Sequence, residues 1–436
     1  MTRILVRAHK SPFRVASVEE TRERNLIGDN TGNLVFSQSV FRLLSTEGTE
    51  LEAARLRRDK AKAINERYDH VVIPLANAFR FSFIEPLDAM SEIIENLTIP
   101  VSVVGVGAQA TLGGENGRFD DLARPVSRFV KAVLERSPSI GVRGGFTAEY
   151  LAGLGFGDDV VDVIGCPSMF MNGPDLSVHK KVDALTSESP IAFNVSPYVL
   201  PTGAISQRHA AAYPNLRYMA QDHLTLELML TGAYPGVKKR QIAAGVPVYL
   251  DHPLIAQDRV RFFVDPVTWF DHLKGYDFSF GTRIHGNIAA LLAGTPALVL
   301  AHDSRTLELA DYHQIPRVPV NEITDDVDAA ELYAKADWEP MNQGHQQRWE
   351  VFQAFLARHG LPHVYQDGQD PSAFDARLDS LDFPAPVQTL MGLTPAELYA
   401  MKAELDALRS TPPVAAELRS TVRQRAASVA RRLRRG

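Results

Sequence analysis

At 436 residues, with 45% hydrophobic and 22% charged side chains, the chain is long enough for two domains plus an extension and has an ordinary globular composition. A formal net charge of -6 argues against a nucleic-acid-binding protein as a whole, so no nucleic-acid partner is expected. Its one cysteine, Cys166, excludes an internal disulfide and a thiolate zinc site.

The N-terminal apolar run, Ile4-Leu5-Val6, is too short for a signal peptide and reads as a first strand. No run of about 18 apolar residues suits a transmembrane helix, so a cytoplasmic protein is expected. A long polar segment, residues 9–25, follows. Gly28-Asp29-Asn30-Thr31-Gly32-Asn33 then opens an amphipathic helix at 34–44. Asp29 and Asn30 have two readings here: hydrogen bonding to sugar hydroxyls, or turn and capping chemistry. Continuous β-branched runs at 70–75, 101–105, 140–143 and 160–164 predict buried parallel strands, with helices between them at 87–96, 126–136 and 145–154. Gly105-Val106-Gly107 lacks the third glycine and the acidic partner of a dinucleotide fingerprint, and tight strand-to-loop packing is its better reading. Arg143, between a strand and a helix start, suits a structural ion pair as well as a ligand. Cys166 reads as a packing thiol.

The polar stretch 172–189 reads as a linker. A second alternation follows, with strands at 191–195, 247–250 and 262–265 and helices at 224–230 and 267–273. The strand at 277–280 then runs into Gly281-Thr282-Arg283-Ile284-His285-Gly286, a helix of small residues at 287–293, the stop Gly294-Thr295-Pro296 and a strand at 297–301. This βαβ unit puts Arg283 and His285 at a helix N-terminus beyond the carboxyl end of a strand. Unpaired backbone N–H groups there, with a guanidinium and an imidazole, suit a phosphate or a carboxylate. The competing reading is an ion pair for Arg283 and a helix cap for His285. Farther on, Arg305 and Glu308 are spaced to pair at i and i+3, or else Asp303 or Glu308 handles the proton of an acceptor hydroxyl.

Asp277, Arg283-Ile284-His285, Gly294-Thr295-Pro296, Asp303-Ser304-Arg305-Thr306-Leu307-Glu308-Leu309 and Gln314-Ile315-Pro316 stand in an order and spacing that resembles the polysaccharide pyruvyl transferase family. A looser likeness covers residues 25–318. The 28–33 loop is similar to the family's Asn-x-Gly-Asp segment. Val142-Arg143 is similar to its Val-Arg, with Gly144 where the family usually has an acid, and Cys166 replaces the acid of an Asp-Pro-like segment.

The resemblance implies an α/β fold of two Rossmann-like domains facing a cleft (GT-B-like), at 1–175 and 190–335; outside the resemblance, the helical and polar composition from Trp338 onward predicts a C-terminal helical extension at 336–436. The resemblance also implies phosphoenolpyruvate as donor and a sugar or lipid-linked glycan as acceptor, with no cofactor and no metal. His285 would be the general acid or would hold phosphate as an imidazolium. Arg283 and Arg143 would face the donor's anions, Gly281, Thr282 and Gly286 would frame them, and Asp303, Arg305, Glu308, Asp29 and Asn30 would complete the substrate site. The alternatives are a glycosyltransferase or sugar-nucleotide epimerase on the same plan, and a non-catalytic, membrane-docked binding protein. Helices read at 395–410 and 415–435 end the chain. The last is Arg-rich and amphipathic, which suits an anionic membrane surface or a solvated tail.

Overall fold

Short apolar runs, too brief for helices and apolar on both faces, become the strands of two parallel sheets. The computed structural model describes residues 1–110, 119–324 and 326–394, with residues 396 and 399. In the N-terminal half, β1 (Thr2–Arg7), β2 (Thr49–Ala54), β3 (His70–Pro74) and β4 (Val101–Val104) pair in the order β2-β1-β3-β4. The pair β5 (Ile140–Val142) and β6 (Val161–Val163) continues this sheet through a parallel bridge between Val106 and Val142. In the C-terminal half, β7 (Ile191–Asn194), β8 (Arg217–Ala220), β9 (Val260–Phe262), β10 (Phe278–Gly281), β11 (Ala297–Ala301) and β12 (Arg317–Pro319) lie in the order β12-β11-β10-β7-β8-β9.

Strand order reverses between β1 and β3 in one sheet and between β7 and β10 in the other. Ligand crevices in such sheets open at these reversals, beyond the carboxyl ends of the strands. Both reversals face one cleft: Arg7 and Pro74 end β1 and β3, Arg283 follows β10, and all three line it. This is the two-domain, GT-B-like arrangement expected.

Six helices matter for the site: α1 (Gly32–Leu44), α2 (Gly145–Gly153), α3 (His223–Thr231), α4 (Ile284–Leu292), α5 (Ser304–His313) and α6 (Glu339–Arg358). Helix α1 is apolar around most of its girth because it is sandwiched between the halves. Leu34, Val35 and Phe36 join the C-terminal core, while Val40, Phe41, Leu43 and Leu44 join the core over the N-terminal sheet. Polar ties cross beside it. Lys10 Nζ donates to Val264 O (2.7 Å), Thr31 Oγ1 to Phe263 O (2.7 Å) and Thr31 N to Gln221 O (2.9 Å).

Several elements differ from the sequence reading. The segment 9–25 contains a helix, Val18–Glu23, capped by Ser17. Residues 247–250 form turns rather than a strand. The strand placed at 262–265 lies at Val260–Phe262, because Asp265 caps the next helix by accepting from Thr268 N (2.8 Å). The extension placed at 336–436 is not set apart from the fold. Trp349, Phe352, Phe355 and Leu356 of α6 pack on Ile4, Val6, Val72 and Val104 of the N-terminal sheet. At about 1.5–3 kcal/mol per buried side chain, α6 is a wall of that core rather than an appendage. Val387 then pairs antiparallel with Phe262, covering the free edge of β9. The tail helices read at 395–410 and 415–435 lie outside the described residues, save 396 and 399. No helix among the described residues is long and apolar enough to cross a membrane.

Candidate active site

The cleft has a volume of about 990 Å³. Its C-terminal wall is set where β10 passes β7. Gly281 has φ +144°, and a Cβ there would fall 1.9 Å from the Asn194 carbonyl oxygen, so only glycine lets the strands run on together. Asn194 then locks the turn. Its Oδ1 accepts from Arg283 N (2.8 Å) and its Nδ2 donates to Asn287 Oδ1 (2.8 Å), while Asn287 Nδ2 donates to Gly281 O (3.0 Å). Thr282 Oγ1 accepts from Ser196 N (2.7 Å). Arg283 occupies the N-cap position of α4 without a side-chain cap bond. The helix therefore starts three residues earlier than expected, and His285 stands in its first turn. The Arg283 guanidinium lies over the Tyr198 ring at 5.8 Å, donates through Nε to Val195 O (3.2 Å), and has Nη2 3.5 Å from Asp222.

His285 forms part of the cleft floor, with Nε2 3.6 Å from Cys166 Sγ. Burial, and then the neighbouring Arg143 and Arg305, push its pKa down to about 3. Its protein surroundings thus hold the imidazole neutral at pH 7.

Arg143 reaches the floor through a gap left by a glycine. A Cβ on Gly107 would lie 2.4 Å from Arg143 Cδ. The guanidinium donates to Gly105 O from Nε (3.4 Å) and Nη2 (3.2 Å). The glycine-rich loop is therefore a passage for an arginine. Gly144 has a similar cause: a Cβ there would lie 3.0 Å from the Glu308 side chain. A carboxylate brought by α5 stands beside Arg143 where the family's usual acid is missing. Glu308 accepts from Thr147 N (2.9 Å) and Oγ1 (2.8 Å), and burial pushes its pKa up to about 7 despite Arg143.

Arg305 does not pair with Glu308. Its Nη2 lies 3.2 Å from Asp303 Oδ2, while its buried Nε has no partner. Asp303 is the N-cap of α5, accepting from Thr306 N (2.8 Å), and it also takes a bond from Gln109 Nε2 (3.1 Å). Burial works against its charge, but Arg305, His302 and Thr306 outweigh that and hold its pKa below the usual value.

The structure thus gathers Arg143, Arg283, His285 and Arg305 on the cleft, with Asp29 and Asn30 at its N-terminal edge. Asp29, at φ +67°, is bound to Asn25 Nδ2 (2.7 Å), and Asn30 Oδ1 accepts from Gly32 N (2.8 Å). Gly281, Thr282, Gly286, Asp303 and Glu308 sit behind the lining and shape it instead of facing it. Sequence reading missed Arg7, Arg80, Tyr198 and Asn194. Only their position at the strand-order reversals marks them, and that needs the topology. Among the described residues no cluster of three His, Cys, Asp or Glu side chains could hold a metal ion.

No curated protein matches the sequence. Among solved structures, the chain is similar to S. aureus MnaA in its UDP co-structure, at 13% identity and TM-score 0.40, over 88% of this chain and 99% of that one. It is also similar to the UDP-GlcNAc 2-epimerase of Neisseria meningitidis bound to UDP-GlcNAc, at 11% identity and TM-score 0.45, over 82% of this chain and all of the other. A third likeness is to the glycotransferase of kitacinnamycin, at 14% identity and TM-score 0.36, over 83% of this chain and 99% of that one. The sequence model of the polysaccharide pyruvyl transferase family matches residues 30–304, which carry β7 through β11 and most of the cleft. With more than half of its length matched by that model, the chain belongs to the polysaccharide pyruvyl transferase family.

Proposed function

We propose that this transferase moves the enolpyruvyl group of phosphoenolpyruvate onto two hydroxyls of a sugar, closing a pyruvate ketal and releasing inorganic phosphate. One observation carries the reading: Arg143, Arg283, Arg305 and His285 line one cleft, with Asp303 and Glu308 behind the lining and Asp222, 3.5 Å from Arg283, as the acid that faces the cleft beside them. Such a field suits a small ligand with two anionic groups. Phosphoenolpyruvate has a phosphate and a carboxylate on three carbons.

The chemistry follows from that fit. The donor's methylene carbon takes a proton, leaving an oxocarbenium-like carbon. A first sugar hydroxyl adds there and loses its proton. Phosphate then leaves and the second hydroxyl bonds to the same carbon, closing the ring; its proton departs with the phosphate and that of the first hydroxyl restores the acid, so protons and bonds balance without a cofactor. His285 is the group at the floor able to supply the first proton. Its depressed pKa rises when two anionic groups sit beside it, so the donor brings the acid into its charged form. Arg283 and Arg305 hold the phosphate, and Arg143 the carboxylate. Since the donor is a cytoplasmic metabolite, the reaction belongs in the cytoplasm. The Arg-rich tail would bring it to an anionic membrane face where lipid-linked glycans are built.

The test is ligand-induced stabilisation. Phosphoenolpyruvate is expected to raise the melting temperature, and UDP-GlcNAc to leave it unchanged. The reverse pattern would favour a glycosyltransferase or epimerase. His285→Ala is expected to abolish phosphate release while keeping the fold, and release at the wild-type rate would remove His285 from the mechanism.

A further inference from the structure

We propose that the N-terminal wall of the cleft carries a second anion site, built on Arg7 and His9, that takes the phosphate or diphosphate of the acceptor. It rests on the ketal-transfer reading for the identity of the donor. The site lies at the strand-order reversal of β1 and β3, across the cleft from the turn that carries Arg283.

Arg7 ends β1 and lines the cleft. Among the described residues its guanidinium makes one hydrogen bond, from Nη1 to Pro74 O at 3.4 Å, which leaves most of its donor fork unused. No carboxylate offsets it: burial and then the Arg55 charge lower its pKa to about 10. His9, two residues on, also lines the cleft, and its Nδ1 is buried without a partner. Burial, Arg55 and Arg7 hold its pKa down at about 4, against Asp29 and a backbone hydrogen bond to Asn25, which pull the other way. Asp29 is already bound by Asn25 through its N (2.8 Å) and Oδ1 (2.7 Å). A half-buried guanidinium with no carboxylate partner among the described residues is costly unless a ligand supplies a counter-ion. Sugar hydroxyls have no need of such a charge, whereas a phosphate matches the fork.

The cleft mouth points to the source of that phosphate. Tyr198 and Leu224, 55% and 38% exposed, line it together with Lys238 and Arg240. An apolar, basic lip suits the chain of a lipid diphosphate better than a nucleoside.

Calorimetric titration of the full chain tests this. Inorganic pyrophosphate is expected to bind equally well with and without saturating phosphoenolpyruvate. Arg7→Gln should weaken pyrophosphate by about tenfold or more, the loss expected from charge-assisted hydrogen bonds, and leave phosphoenolpyruvate affinity unchanged. Farnesyl diphosphate binding more tightly than pyrophosphate identifies a lipid acceptor, and UDP binding more tightly identifies a nucleotide-linked one. Competition between pyrophosphate and phosphoenolpyruvate in the unaltered chain overturns the proposal, whatever the folding of the variant. So does equal weakening of both ligands by Arg7→Gln, or no pyrophosphate binding at all. Pyrophosphate binding in a chain that ignores phosphoenolpyruvate would instead sink the donor reading and leave the anion site standing.

Discussion

Glu308 is a carboxyl whose cost of burial depends on pH. Its pKa is near 7 in the fold against about 4.5 in the unfolded chain, so the fold binds its proton more tightly. Its contribution is complete below pH 4.5 and is lost as pH rises through 7. Two and a half pH units correspond to roughly 3 kcal/mol. Relative to wild type, Glu308→Gln should therefore gain stability between pH 5 and 8, by about that amount, in urea unfolding. A constant difference across that range would contradict the assignment. Gly107→Ala should act through Arg143, since the new methyl would stand in the path of its side chain. The expected result is a loss of about tenfold or more in kcat/KM for phosphoenolpyruvate with little change in melting temperature, because only the guanidinium is displaced. At this scale the sequence was legible where chemistry-bearing residues follow a strand directly, as Arg143 and Arg283 do. Arg7 and Arg80 also lie near strand ends, but nothing in their local pattern separates them from surface arginines.

For elements, the turn from β10 into α4 was the most readable stretch, and its one error is instructive. Helix α4 was expected to start at Asn287, whereas it begins at Ile284 with no side-chain cap. Asn287 instead turns inward to bridge Gly281 O and Asn194. Asn287→Ala should leave those groups unpaired and lower stability by about 1–3 kcal/mol. It should also raise the KM for phosphoenolpyruvate, because Asn194 would lose the bond that orients it toward Arg283 N. An unchanged KM would show that Arg283 is held without this lattice. Edge strands were the hardest to read. In β2, Thr-Glu-Leu-Glu-Ala-Ala is nowhere fully buried and is exposed at Glu50, so it lacks the continuous apolar run that marked β3 and β4. The interior strand β8 was also passed over, being only four residues long.

Across the whole molecule, buried histidines set the response to acid. His9, His70, His252 and His302 are held down at about 4, and His285 and His359 at about 3, each chiefly by burial. All are neutral in the fold and take up protons on unfolding near pH 6.5. Their contribution is present above that value and is lost as pH falls toward 4 and 3, at about 1.4 kcal/mol per pH unit for each group. Circular dichroism should show unfolding between about pH 6 and 4, and a native signal persisting to pH 3 would contradict it. The division into two α/β halves was readable from the order of strands and helices. The return of α6 to the first sheet was not, because no local pattern says which distant surface an apolar helix face will cover.

The pairing of Val387 with Phe262 has a further consequence. Val387 both donates to and accepts from Phe262, at 2.8 and 3.2 Å, and so ends the lateral growth of the C-terminal sheet. Val387→Pro removes the donor and leaves a ribbon of peptide groups open at β9, able to recruit the same ribbon of another molecule. Light scattering of that variant should therefore register a slow climb toward fibrous, high-mass species in protein whose catalysis is untouched: what guards solubility here is one short clasp, spent far from any chemistry.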